Sequence, residues 1–206
     1  KMLTLFKKIR RSKGPNLDTK TVVTDDNAGQ LFSVFKHCAE EIGVDSMSFQ
    51  MLKGSPIQHA DKCYSYSSIF NEPKPHIYKN VDLIFSEFEK IKKYVGKYEV
   101  NVYTHPHVFN FGERYQNDFS VFKRELTSNL HDPSNYETCK APWESMHVNA
   151  DGKAFPCLAI EVGNVIEVKN IYEFYDSGVG AKFRDELRKC GTFPACSRCG
   201  YLKVSL

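Results

Sequence analysis

Five of the chain's seven cysteines fall between residues 139 and 199, and this clustering limits what the C-terminal third can fold into. The last two, Cys196 and Cys199 in "PACSRCG", are spaced for a single knuckle. Cys139 and Cys157 flank "KAPWESMHVNADGKAFP", in which Asp151-Gly152 is expected to supply a type I′ hairpin turn between "MHVN" and "KAFP". A hairpin lays its two ends side by side, so the intervening residues need not separate the two thiols in space. The base of a hairpin plus a knuckle makes a four-sulfur set, and Cys139, Cys157, Cys196 and Cys199 are the candidate metal ligands. Zinc in a tetrahedral site and a four-iron cluster accept the same four thiolates. Zinc ribbons usually carry two tight CxxC knuckles; here the first pair is a hairpin apart, which tilts the balance away from zinc.

The other cysteines read differently. Cys190 follows Phe183 and Leu187 at i, i+4 and i+7 on the expected helix "AKFRDELRKC", which makes it a core cysteine on an apolar face. Cys38 is expected in the core on its own helix, and Cys63, in a tyrosine-rich loop, carries no assigned function. No apolar run of eighteen residues occurs, nor a basic start followed by an apolar signal core, so the chain reads as cytoplasmic and its cysteines as metal or redox groups. The net charge is +3, with 26% charged and 41% hydrophobic residues, and demands neither a nucleic-acid nor a membrane partner. The basic run "KKIRRSK" (Lys7 to Lys13) reads as a solvated helix face.

Ahead of the cysteines the pattern alternates between helix and strand. Met2, Leu5, Phe6 and Ile9 have helical spacing, "GPN" ends that helix, and "TKTVVT" (Thr19 to Thr24) reads as a buried strand. Asp26 or Asn27 would cap a helix carrying Leu31, Val34, Phe35, Cys38 and Ile42, stopped by Gly43. "SMSFQML" (Ser46 to Leu52) is the next strand. Residues 53–79 are expected to be a long loop. Asn80 would then cap a helix with Val81, Ile84, Phe85, Phe88, Ile91 and Val95 on one face, followed by a strand over "YEVNVYT" (Tyr98 to Thr104). Some helix is expected around "DFSVFKREL", and a boundary near "HDPSNYET". Such an order is half of an α/β parallel layer, and two parallel strands need neighbours on both edges. The chain is therefore expected to be the C-terminal part of something larger. The alternative has the strand near residue 100 joining the first two in a small complete sheet.

The frame Cys139, twelve residues, Gly152, four residues, Cys157, with "GNV" (Gly163 to Val165), "NIYEFYDS", "KFRDEL" and "CSRC", resembles the SPASM/twitch extension of radical SAM enzymes. "TVVTDDN" and "GVDSMSFQML" look like the fifth and sixth strands of the radical SAM partial (β/α)6 barrel. The resemblance implies an α/β fold in which residues 1–60 form the second half of the barrel. Residues 61–135 would flank or complete it, and 136–206 would be a small hairpin-plus-helix cluster-binding domain. Five cysteines are too few for two auxiliary clusters, so it implies one twitch-type [4Fe-4S] cluster on Cys139, Cys157, Cys196 and Cys199, serving electron transfer or structure.

The same resemblance implies a parent enzyme that uses S-adenosylmethionine and a second [4Fe-4S] cluster to generate a 5′-deoxyadenosyl radical. That radical would abstract hydrogen from a peptide, protein or small-molecule substrate, with flavodoxin or ferredoxin as external reductant. The CxxxCxxC motif that binds the first cluster in that family is absent from the sequence, so this chain alone should not start the reaction. In "SMSFQML" the alternation puts Ser48 and Gln50 on one face, toward the barrel interior, and Met47, Phe49 and Met51 on the other. Parallel barrels place chemistry at the C-terminal ends of strands, which makes Thr24, Asn27, Gln50 and Leu52 candidate cofactor-binding residues. Asn27 could instead be a helix cap. The tyrosine-rich loop and "YTHPHVFNFGERY" would shape substrate choice. Two other classes fit the residues: a zinc-binding interaction module, and a non-catalytic iron-sulfur carrier or scaffold.

Overall fold

The computed structural model describes residues 16–52, 54–55, 74–107, 109–112, 120–128, 131–157, 160–176, 178–197, 199–203 and 205. The basic run, the helix expected over Met2 to Ile9, Cys63 and most of the 53–79 loop lie outside these residues. The chain divides into two compact units, one containing 16–52 and 77–127 and the other 54–55, 74–76 and 128–205.

The first unit is built on three parallel strands: β1 (Asp18–Val23), β2 (Ser46–Met51) and β5 (Asn101–His105), in the spatial order β1-β2-β5. The strand near residue 100 thus pairs directly, and in parallel, with the second strand. Two short strands, β3 (Gly54–Ser55) and β4 (Lys74–Pro75), pair with each other in the second unit. Between the parallel strands run α1 (Leu31–Lys36) and α2 (Val81–Val95), and α3 (Ser120–Thr127) follows β5. All three helices share one apolar cluster with Val23, Met47, Phe49, Met51 and Val102. Phe88 lies at its centre, 5.3 Å from the Phe49 and Phe109 rings and 5.6 Å from Phe111. Phe109 and Phe111 come from the stretch expected to shape substrate choice; both are buried core residues, while 113–115 lie outside the described residues.

Long-range carboxylates do the capping that the sequence assigned to neighbours. Helix α1 starts at Leu31, with Gln30 at its N-cap and no side-chain cap bond, so neither Asp26 nor Asn27 caps it. Asn27 is engaged at the end of β1, accepting the Thr24 N–H at 2.9 Å and donating to the Val22 carbonyl at 2.8 Å. The Phe32 N–H, one of the orphan donors of α1, is met by buried Glu87 of α2 at 3.0 Å. In return Asp25, just before α1, accepts the N–H groups of Lys79 and Asn80 at 2.9 Å each, where α2 begins. After Lys36 the helix widens into a π-turn over His37–Ile42. The Gly43 N–H reaches the Cys38 carbonyl at 2.8 Å, and Gly43 ends the turn at φ 70°.

The second unit holds a short 3-10 turn (Pro133–Asn135), α4 (Ala141–Glu144), and a three-stranded antiparallel sheet of β6 (His147–Val148), β7 (Lys153–Phe155) and β8 (Gly163–Asn164). Helices α5 (Glu173–Asp176) and α6 (Gly178–Cys190) follow, then a 3-10 turn at Pro194–Cys196. Among the described residues no helix is long and apolar enough to cross a membrane.

Candidate metal centre

The hairpin that carries Cys139 and Cys157 turns differently from expectation. The Gly152 N–H donates to the Asn149 carbonyl at 2.9 Å, so the central pair is Ala150-Asp151. Gly152 follows it as a bulge glycine at φ 83°, and the Asn149 N–H closes on the Lys153 carbonyl at 2.9 Å. This is a three-residue loop rather than a type I′ turn. Asn164 of β8 secures it, donating from Nδ2 to the Asp151 carbonyl at 3.0 Å and accepting the Ile166 N–H at Oδ1, also at 3.0 Å. A Cβ at Gly163 would lie 2.7 Å from the Phe174 ring. The "GNV" stretch is therefore a packing and turn-holding element.

Helix α6 supplies the floor. Phe183 and Leu187 on its buried face, with Ile160, Phe193 and Ala195, form an apolar cluster against which Cys139, Cys157, Cys196 and Trp143 pack. Gly191 ends α6 at φ 76°, and its carbonyl accepts the Cys139 N–H at 3.1 Å, tying the first cysteine to the helix end. Arg188 lies over the Trp143 ring at 5.3 Å. Cys190 is exposed, which corrects its reading as a core residue. It is the last residue of α6, and the chain leaves the helix at Gly191.

The knuckle is a run of tight turns. Cys196 N–H bonds to the Phe193 carbonyl at 2.8 Å, Ser197 N–H to Pro194 at 3.1 Å, Cys199 N–H to Cys196 at 2.9 Å and Leu202 N–H to Cys199 at 3.1 Å. The Phe193 N–H also donates to Cys196 Sγ at 3.3 Å. Burial pushes the Cys196 thiol well above its ordinary range. Cys199, Cys157 and Cys139 lie close enough to raise it further by charge repulsion, against the pull of the Phe193 N–H. The Cys139 thiol is also raised, chiefly by burial, while a backbone bond at Ala141 lowers it and Cys199 and Glu144 add to the rise. None of the four is in a disulfide.

The four cysteines thus meet in one electrostatic neighbourhood. Ionising all four together would be costly unless a cation were among them. Among the described residues no group of three or more His, Cys, Asp or Glu side chains is arranged to hold a metal ion. A single tetrahedral zinc, with Zn–S of about 2.3 Å, draws its sulfurs to about 3.8 Å of one another. A cluster that interposes several irons and sulfides needs its thiolates further apart. An all-thiolate donor set is soft and suits either a zinc ion or an iron-sulfur cluster.

Thr24, Asn27, Gln50 and Leu52 lie at or just beyond the C-terminal ends of β1 and β2, where Thr24 bonds to Asn27. The register pairs Val22 with Gln50 and Gln50 with His105. Sequence reasoning missed Tyr78, which is buried: its hydroxyl donates to the Val23 carbonyl at 2.7 Å and accepts the Leu52 N–H at 2.6 Å, tying the ends of β1 and β2. It also passed over the individual rings of Tyr103, His105 and His107. They gather at the end of β5, with Tyr103 and His105 centroids 5.1 Å apart and His105 and His107 5.5 Å apart. The "YTHPH" string was the available signal.

Residues 139–200 match the family model of SPASM, an iron-sulfur cluster-binding domain. No curated protein and no solved structure matches the chain. The matched segment begins at Cys139 and ends one residue after Cys199, so it spans the whole four-cysteine neighbourhood.

Proposed function

We propose that this chain carries an auxiliary [4Fe-4S] cluster of a radical SAM enzyme, held by Cys139, Cys157, Cys196 and Cys199. The observation that carries the reading is that the segment matching the SPASM iron-sulfur cluster-binding domain spans all four cysteines, three of which pack on one apolar cluster. When bound, such a cluster supplies one-electron transfer or rigidity. The chain's own residues do the rest. The Phe193 N–H donates toward the Cys196 sulfur, the apolar floor from Phe183 to Ala195 keeps water away from one side, and Gly191 fixes the backbone of Cys139.

In the same proposal β1 and β2 are the fifth and sixth strands of a partial barrel, and β5 flanks or completes it. Helices of the first unit cover the Met47, Phe49 and Met51 face, and the polar face of β2 looks inward. Thr24, Asn27, Gln50 and Leu52 then lie on the cofactor side, where the parent enzyme would place S-adenosylmethionine and its own cluster. The parent enzyme would modify a peptide, protein or small molecule by hydrogen abstraction, with a flavodoxin or ferredoxin as reductant. The CxxxCxxC segment this chemistry needs is not among the 206 residues, and the parent protein would supply it.

The test is the iron, sulfide and zinc content of the chain purified without oxygen. About four iron and four sulfide per chain are expected, lost in Cys196→Ala and Cys199→Ala and retained in Cys190→Ala, whose thiol is exposed. Zinc without sulfide would replace the proposal with a structural knuckle.

A further inference from the structure

The face of the parallel sheet opposite the helices is unusually polar for strands of this kind, which ordinarily read apolar on both faces. Its register sets three rows across β1, β2 and β5: Asp18, Ser46 and Asn101; Lys20, Ser48 and Tyr103; Val22, Gln50 and His105. Only one of the nine residues is apolar. Asp18 is already engaged, accepting the Ser46 hydroxyl at 2.6 Å. The middle row differs: it places a lysine, a serine and a tyrosine at neighbouring register positions on that face. Ser48 at its centre is fully buried, and its Oγ has no hydrogen-bond partner. A buried hydroxyl left so is costly unless something outside the described protein atoms meets it. Beside it the Tyr103 ring stacks on His107 at 5.9 Å, which gives that end of the row a flat wall.

We propose that the Lys20, Ser48 and Tyr103 row binds a carboxylate of the substrate, with the Ser48 hydroxyl as its buried donor. The row brings one formal positive charge and two neutral donors, which balances a monoanion. A phosphate dianion ordinarily calls on more cations or on a helix N-terminus. This assignment rests on reading the polar face as the substrate side of a partial barrel. The carboxylate is the recognised chemistry, whether it belongs to a free acid or to an acidic side chain of a peptide.

The experiment is a backbone-amide NMR titration of the 206-residue chain with acetate, acetamide, inorganic phosphate, S-adenosylmethionine and a blocked tripeptide with a central aspartate, at constant ionic strength. Saturable acetate shifts at residues 20, 48 and 103, absent with acetamide, are expected. Lys20→Gln should weaken them about ten-fold, the worth of one charge-assisted hydrogen bond, and Ser48→Ala should weaken them severalfold. Lys36→Gln, a change at a half-buried position on α1, should leave them unaltered. Tyr103→Phe serves as a second probe should Ser48→Ala fail to give a folded spectrum. Tighter binding of the tripeptide than of acetate supports the proposal and points to a peptide source; equal binding supports it with a free acid. Unsaturable shifts, or shifts insensitive to Lys20→Gln, overturn it. Tighter binding of phosphate overturns the carboxylate assignment, and tighter binding of S-adenosylmethionine overturns the substrate assignment. Iron measured on the same sample separates the two readings: cluster present without an acetate response sinks only this inference, and the reverse sinks only the cluster.

Discussion

Phe193 and Cys196 bond to each other in both directions: the Phe193 carbonyl accepts the Cys196 N–H at 2.8 Å, and the Phe193 N–H donates to Cys196 Sγ at 3.3 Å. The thiol is therefore positioned by its own backbone loop, and the Phe193 ring, 5.4 Å from Phe183, anchors that loop to α6. Phe193→Ala keeps both backbone bonds and removes the anchor. A loss of about 3–5 kcal/mol is expected from emptying a buried aromatic site, read as a lower urea midpoint. Below that midpoint the iron content should match the unchanged chain, because no ligand is lost. A stable Phe193→Ala protein would show that the ring does not hold the knuckle.

Gly152 tests the hairpin independently of the metal. Its φ of 83° is unfavourable for any residue with a side chain, and an added Cβ would come within 2.4 Å of Asn164 Oδ1 and 3.0 Å of the Ile166 side chain. Gly152→Ala should therefore cost about 1–3 kcal/mol. It should also break the Asn164 bond to the Asp151 carbonyl, visible as faster exchange of the Ile166 amide, which bonds to the same side chain. An unchanged melting midpoint would mean that β8 does not brace the turn.

Tyr78 makes an equally local prediction in the first unit. Tyr78→Phe leaves the ring in place but removes the hydroxyl that bonds the Val23 carbonyl and the Leu52 N–H. Losing the two bonds should cost about 1–3 kcal/mol, with faster hydrogen exchange at Leu52 as its specific sign. Exchange at Leu52 as slow as in the parent chain would assign that N–H another acceptor.

What could be read in the sequence was local. β2 showed itself by alternation, α2 by its apolar stripe from Val81 to Val95, and the four candidate ligands by spacing around a turn. Glu87 capping α1, Asp25 capping α2 and Tyr78 linking two strands were not legible. Each acts over a separation of 26 to 55 residues, and no local pattern records which carboxylate or hydroxyl will arrive. The hairpin was legible but its turn type was not, since "NADG" suits Asp151-Gly152 at the centre as well as a bulge glycine after Ala150-Asp151. Cys190 misled for a related reason. Its spacing places it on the Phe183 face, but at the last residue of α6 that face no longer has a neighbour to cover it.

Cys38 gives the stability of the chain a dependence on alkaline pH. Burial raises its thiol above the ordinary value, and the nearby Thr19 side chain pulls partly the other way. In the unfolded chain the thiol ionises near about pH 8.5, while in the fold it keeps its proton to higher pH. Above that point the unfolded state binds fewer protons than the native state, so stability falls as pH rises and is fully present below it. Urea midpoints measured from neutral pH upward should therefore decline beyond about pH 8.5, and Cys38→Ala, though less stable overall for its lost packing, should decline less steeply. Parallel slopes for the two proteins would assign the alkaline loss to other groups.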